Sequence, residues 1–211
     1  MKRWSPVVAF SLLALASKAH AEPRKVDAFS SIELAGLMAV EVRIANAHAT
    51  SVDVQGEPQL AKLVSTTVKN GTLVIDTPKD FGKRLKGQDN KLKVVITMPA
   101  LKSVAINGTG AMQVEGLAQK SFDASIAGTG ALKLVGKADT FRLSIPGTAE
   151  VKAKAFVASD VQLSIAGTAE ASVHATKSFE ANVMGTASLS IYGKPASVKK
   201  NIVGTAMIDV Q

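Results

Sequence analysis

From residue 101 to the end of the chain, apolar and polar residues alternate with a period of two, and a glycine followed by threonine recurs through the alternation. Aligning Gly108, Gly128, Gly147, Gly167, Gly185 and Gly204 gives spacings of 20, 19, 20, 18 and 19 residues. In the second repeat the residues six, four and two before the glycine, then four and six after it, are Phe122, Ala124, Ile126, Leu132 and Leu134. The third repeat has Phe141, Leu143, Ile145, Val151 and Ala153, and the fourth Val161, Leu163, Ile165, Ala171 and Val173. The fifth has Phe179, Ala181, Val183, Leu189 and Ile191. Of the thirty such places in six repeats only Lys102 and Lys200 are not apolar, and they fall in the first and the last. The places between them carry Asp123, Ser125, Lys133, Arg142, Ser144, Lys152, Gln162, Ser164, Ser172 and Glu180. A helix would repeat its apolar residues every three to four positions, so this pattern predicts half-buried strands on both sides of each glycine.

A period near 20 residues with two strands per unit is the signature of a solenoid. Each unit has a contour of about 66 Å at roughly 3.3 Å per residue. That length closes into a narrow coil with a dry interior, and successive coils then pair as parallel strands about 4.8 Å apart. The predicted fold is all-β: a single-domain parallel β-helix, right-handed because crossovers between parallel strands favour that hand.

The glycine and the residue two after it should face the inside of a bend. That second residue is Gly110, Gly130, Ala149, Ala169, Ala187 or Ala206, small enough for a cramped corner. Thr109, Thr129, Thr148, Thr168, Thr186 and Thr205 would form an outward ladder, stabilised by β-branching and hydroxyl hydrogen bonds. A flat hydroxyl array for ice, crystal or sugar is the functional alternative to a structural corner. The column before the glycine reads Asn107, Ala127, Pro146, Ala166, Met184 and Val203. It is no second threonine row and argues against an ice lattice. The column three before the glycine is Ala105, Ser125, Ser144, Ser164, Asn182 and Asn201, a flat neutral face of the kind that meets extended polymers or another protein.

Residues 27–100 lack the Gly-Thr signature but keep the alternation, as in Val40, Val42 and Ile44 against Glu41 and Arg43. They are expected to form less regular coils leading into the stack, with Asn70-Gly71 as a strong turn into Leu73-Val74-Ile75. Residues 78–91, PKDFGKRLKGQDNK, form the longest stretch without strand character. Its Lys79, Lys83, Arg84, Lys86 and Lys91 outnumber Asp80 and Asp89, so it reads either as a solvated loop or as a site for an anionic glycan or phosphate headgroup.

Several stretches together, FSSIELAGLMAVEV, LVSTTVKNGTLVI, KLKVVITMPALKSVAINGTGAM and the Gly-Thr repeats, carry a resemblance. From about Val26 to Gln211 the chain resembles the exported bacterial domain described as a putative auto-transporter adhesin, head GIN domain. The resemblance implies a β-helical fold, export and an adhesin-like role. This chain departs from the usual repeat by carrying Ala for the second glycine in its last four repeats. It also lacks the acidic residue that commonly follows, except at Glu150 and Glu170.

The first 21 residues have the form of a secretory signal. Lys2 and Arg3 precede an apolar run from Val7 to Ala16, and Ala19-His20-Ala21 fits a cleavage site that would leave Glu22 first. The run is too short to span a membrane, and no later segment could, so the mature chain is expected in the periplasm, secreted or at the cell surface. Cleavage would lower the formal charge from +8 to +5, a mild excess suited to anionic envelope glycans rather than nucleic acid, for which no stacking aromatics are in place. The absence of cysteine excludes disulfides, zinc–thiolate sites and lipidation at an N-terminal cysteine.

β-Helices also carry polysaccharide-degrading enzymes, and Glu150 and Glu170 would sit one coil apart, near the separation of paired glycosidase carboxylates. A catalytic pair needs a cleft and two different environments, and coils this short leave no loops to build them. His48 and His174 have no evident partners. The expectation is a non-catalytic binding or scaffolding module of the envelope, without metal or cofactor. Its partner would be an envelope glycan, met through the basic loop in the alternative reading, or another protein. The sixth coil has no visible cap: either Lys200, at an otherwise apolar register, discourages edge-to-edge growth, or the open end is an interface for a second copy or another partner.

Overall fold

Inward apolar residues and outward polar ones wind into about five turns of about 20 residues each, as a computed structural model shows for residues 21–46, 49–85 and 92–211. The elements in chain order are β1 (Ala21–Pro23), β2 (Ser31–Leu34), β3 (Leu37–Ile44), β4 (Ser51–Gln55) and the single-turn helix α1 (Pro58–Ala61). Next come β5 (Ser65–Lys69), β6 (Thr72–Asp76), the single-turn α2 (Phe81–Arg84), β7 (Lys93–Met98) and β8 (Ser103–Ile106). The long strands β9 (Thr109–Ile126), β10 (Thr129–Ile145), β11 (Thr148–Ile165), β12 (Thr168–Tyr192) and β13 (Ser197–Val210) complete the chain. All thirteen strands belong to one continuous sheet curled on itself. The fold is the predicted β-solenoid.

Each coil has a first side before the glycine corner, a second side after it, and a return segment. On both sides of the corner the register is unbroken from coil to coil, as in Phe141↔Val161 through Ile145↔Ile165 and Thr148↔Thr168 through Ala153↔Val173. Register shifts fall in the return segments, between Val135 and Gly136 in one pair of coils and between Ala153 and Val157 in another. The unequal repeat lengths are therefore absorbed on one side only. A one-residue slip on either of the other sides would turn every inward side chain outward.

The inward columns named from the alternation are buried in the second to fifth repeats without exception. The return segments add Leu117, Ala138, Phe156, Ala158 and Ala175 to the interior. Phe156 makes edge contacts with Phe122 and Phe141 at centroid separations of 5.8 and 5.2 Å. Among the described residues no polar or charged residue is buried. The interior is thus dry, and burial of its aliphatic surface is what holds the coils together.

The N-terminal part belongs to the same sheet but is not a simple run of coils. Strands β2 and β3 pair in parallel with β8 and the start of β9, and on their other side with β6 and β7. Beyond these, the direction reverses: β4 is antiparallel to β7, β1 to β4 and β5 to β6. The β5–β6 hairpin turns at Asn70 and Gly71, with φ of 49° and 74°, as the Asn-Gly pair predicts. Leu60 and Ala61 of α1 are buried beneath this end. The antiparallel strands and α1 close the stack where a further parallel coil would otherwise be required.

Candidate functional site

The glycine corner is fixed by the closeness of neighbouring coils. A Cβ placed on Gly128 would overlap the carbonyl oxygen of Gly108, and the same holds for Gly147 on Gly128, Gly167 on Gly147, Gly185 on Gly167 and Gly204 on Gly185. The obstacle is backbone in each case, so no side-chain movement relieves it. The ladder has one rung that the Gly-Thr pattern does not reveal. Gly36 lies one coil below Gly108, with Thr109 N donating to Gly36 O at 3.2 Å, and it is followed by leucine instead of threonine. Its signal is present in FSSIELAGLMAVEV, where Ile32, Leu34, Val40 and Val42 fill four of the five inward places around Gly36 and Ser30 takes the fifth.

Thr109, Thr129, Thr148, Thr168, Thr186 and Thr205 are all exposed. Among the described residues no side-chain hydrogen bond joins one ladder threonine to the next, so the stack rests on β-branched packing and the backbone ladder. Beside it, Lys152 Nζ lies 2.6 Å from Glu150 Oε1. The hydrogen bond and charge of Glu150, helped by the charge of Glu170, raise the Lys152 pKa above its ordinary value. Glu150 and Glu170 are register partners on adjacent coils and both are exposed. Two exposed carboxylates, one of them ion-paired, lack the contrasting environments of an acid and a base.

Of the basic loop, Lys79, Lys83 and Arg84 lie within the described residues, whereas Lys86 and Lys91 lie outside them. Phe81, 1% exposed, anchors α2 to the core. Arg84 is held by Asp80, with Nε and Nη2 each 2.9 Å from Oδ2. One of the three described cations is therefore already paired. His174 Nδ1 donates a hydrogen bond to the carbonyl oxygen of Lys154 at 3.2 Å, while His48 and the proposed signal up to His20 lie outside the described residues. Among the described residues no group of three or more metal-ligating side chains gathers, and no helix is long and apolar enough to cross a membrane.

The richest cluster of exposed hydrogen-bonding groups lies on the first side of the coils. Strand register brings Asp123, Arg142, Gln162 and Glu180 into one column and Ser125, Ser144, Ser164 and Asn182 into the next. The column of serines and Asn182 is the flat neutral face read from the repeat alignment, whereas Asp123, Arg142, Gln162 and Glu180, all five places before a corner glycine, are legible there only as outward polar places. Arg142 organises the column. Its Nε donates to Gln162 Oε1 at 3.2 Å, and its Nη1 donates to Ser121 Oγ at 3.1 Å and Asp123 Oδ1 at 3.4 Å. Together the two columns line a shallow groove of about 550 Å³. The broader trough over the corner, about 710 Å³, is lined by the ladder threonines with glycines and alanines, together with Glu150, Glu170 and Ser188.

Known proteins share the architecture. A putative adhesin from Bacteroides fragilis superposes with a TM-score of 0.73 at 22% identity, over 93% of this chain and 98% of its own. A putative lipid binding protein from Parabacteroides distasonis superposes with a TM-score of 0.51 at 19% identity, over 93% and 98%. At these identities the likeness concerns the fold. No curated protein matches the chain. The sequence pattern of one family matches residues 28–195, most of the chain, and the protein belongs to that family, described as putative auto-transporter adhesin, head GIN domain.

Proposed function

We propose that this protein is an exported, non-catalytic binding module of the bacterial cell envelope, adhesin-like, whose ligand is an extended glycan lying along the first side of the coils. One observation carries the reading: four successive coils present Asp123, Arg142, Gln162 and Glu180 in register beside a column of serines and Asn182. Carboxylate, guanidinium and amide groups each offer paired acceptors or donors, which suit the neighbouring hydroxyls of a sugar ring. The rungs repeat every ~4.8 Å, so a linear polymer can meet several of them at once and gain avidity from weak single contacts. The groove is open along the stack and does not end in a closed pocket, as a polymer requires. The signal-like first 21 residues and the family's adhesin description support export.

The test is binding of the purified protein to a panel of envelope polysaccharides, with Arg142→Ala and Glu180→Ala beside the parent. Both side chains are exposed on interior coils, so thermal unfolding should change little. The expected result is one bound polysaccharide class and at least a tenfold weaker affinity in each variant, about 1.4 kcal/mol. Binding that survives both substitutions but is lost when Lys79, Lys83 and Arg84 are neutralised would move the site to the basic loop. Absence of binding to every polymer in the panel would sink the reading.

A further inference from the structure

The two ends of the stack differ. Among the described residues the outermost strands at the N-terminal end are β1 (Ala21–Pro23) and β5, five residues of which Ser65, Thr66, Thr67 and Lys69 are polar. At the other end β13 runs for 14 residues with its outer edge unpaired and its inward side chains uncovered. Val198, Ile202 and Val210 hold inward places in the coil yet are 38, 40 and 44% exposed. An unpaired strand of this length is a template for another strand.

We propose that a second copy of this chain covers β13, through a two-fold axis that passes through the corner at Gly204 and pairs the two β13 strands antiparallel. The corner sits near the middle of β13, so the two sides of the coil match in length, and a two-fold along their bisector lays the first side of one copy on the second side of the other. Centred on Gly204, the register pairs Val198 with Val210, Lys200 with Ile208 and Ile202 with Ala206. Every inward residue thereby meets an inward residue, and the dry interiors of the two solenoids join. The outward pairs in the same register include Lys199 with Asp209, formed twice. Cation and anion thus stand opposite each other without having been chosen to. Lys200 is the one inward cation of β13; its aliphatic stem covers the partner's Ile208 while its ammonium, exposed in the single chain, stays in solvent. Among the described residues the other end of the stack presents no second long strand with uncovered inward side chains, so association is expected to close at two copies and not to propagate into fibres.

Light scattering of the purified chain over a concentration series, with Asp209→Lys alongside, tests the proposal. The parent should have twice the chain mass at tens of micromolar, and Asp209→Lys, which sets like charges opposite each other, should weaken association at least tenfold. The register is tested by cross-linking, for which the chain offers a background free of cysteine. Under mild oxidation K199C/D209C should yield a covalent dimer, whereas Lys199→Cys alone should not, since its two copies would lie about ten residues apart along the pair. Because β13 has a coil on one side only, these variants should fold, which circular dichroism checks. A monomer at every concentration, growth beyond two copies, or a dimer that ignores both Asp209→Lys and the cysteine pair would overturn the proposal.

Discussion

At the scale of the residue, the corner glycines matter for what they lack. Gly147 is the informative rung, because it has no positive φ to complicate the reading and a Cβ there would meet only the backbone of Gly128 and Ala127. Gly147→Ala should destabilise the protein by roughly 2–3 kcal/mol, the usual cost of forcing an extra methyl into a well-packed site. The neighbouring Thr148→Val should stay within about 0.5 kcal/mol, since the threonine is exposed and its hydroxyl joins no ladder hydrogen bond. Chemical denaturation of the two variants separates them. Equal effects would mean that the threonines, and not the glycines, hold the corner. The contrast also explains why the pair recurs: the glycine is demanded by the approach of the coils, and the threonine by its fitness for a parallel edge position.

At the scale of the element, the two sides flanking the corner and the return segment obey different rules. An alanine inserted between Leu143 and Ser144 would shift one side out of phase and turn Phe141 and Leu143, or Ile145, away from the core. The protein should then fail to fold cooperatively. The same insertion between Val135 and Gly136, where the register already slips, should leave a folded protein with a modestly lower Tm. Thermal melts of the two insertions decide whether the coil has this division. The same division governs what could be read from sequence. The sides flanking the corner were legible down to individual inward residues, because period two and period twenty reinforce each other there. The return segments were not, and Phe156 was missed with them, because variable length erases the column. The antiparallel closure at β1, β4 and β5 was also hidden, since alternation shows that a strand is half buried but not which way its neighbour runs. The Arg142 column was legible only as polar: the repeat alignment puts its members at one place, 18 to 20 residues apart, but the side-chain hydrogen bonds that join them appear only when the coils are stacked.

At the scale of the whole molecule, each coil touches only its neighbours, so stability is approximately a sum over coils and their contacts. Removing residues 128–146 would join Ala127 to Gly147 and take out one coil without disturbing either end. The shortened protein should fold with native-like strand content and a lower Tm, whereas removal of half that length should abolish folding. Circular dichroism and calorimetry on the two deletions would check this, and a folded half-coil deletion would contradict a stack of equivalent units. The hydrogen bonds between coils all run along the long axis of the stack. A pull along that axis, entering through β13, would load them one row at a time and not all together. A molecule so built gives way to tension by peeling successive coils at low force, lengthening by the contour of each coil as it goes. In the proposed role of holding an envelope glycan, such yielding would turn a sudden tug into a gradual extension and keep the tension on the bound polymer low.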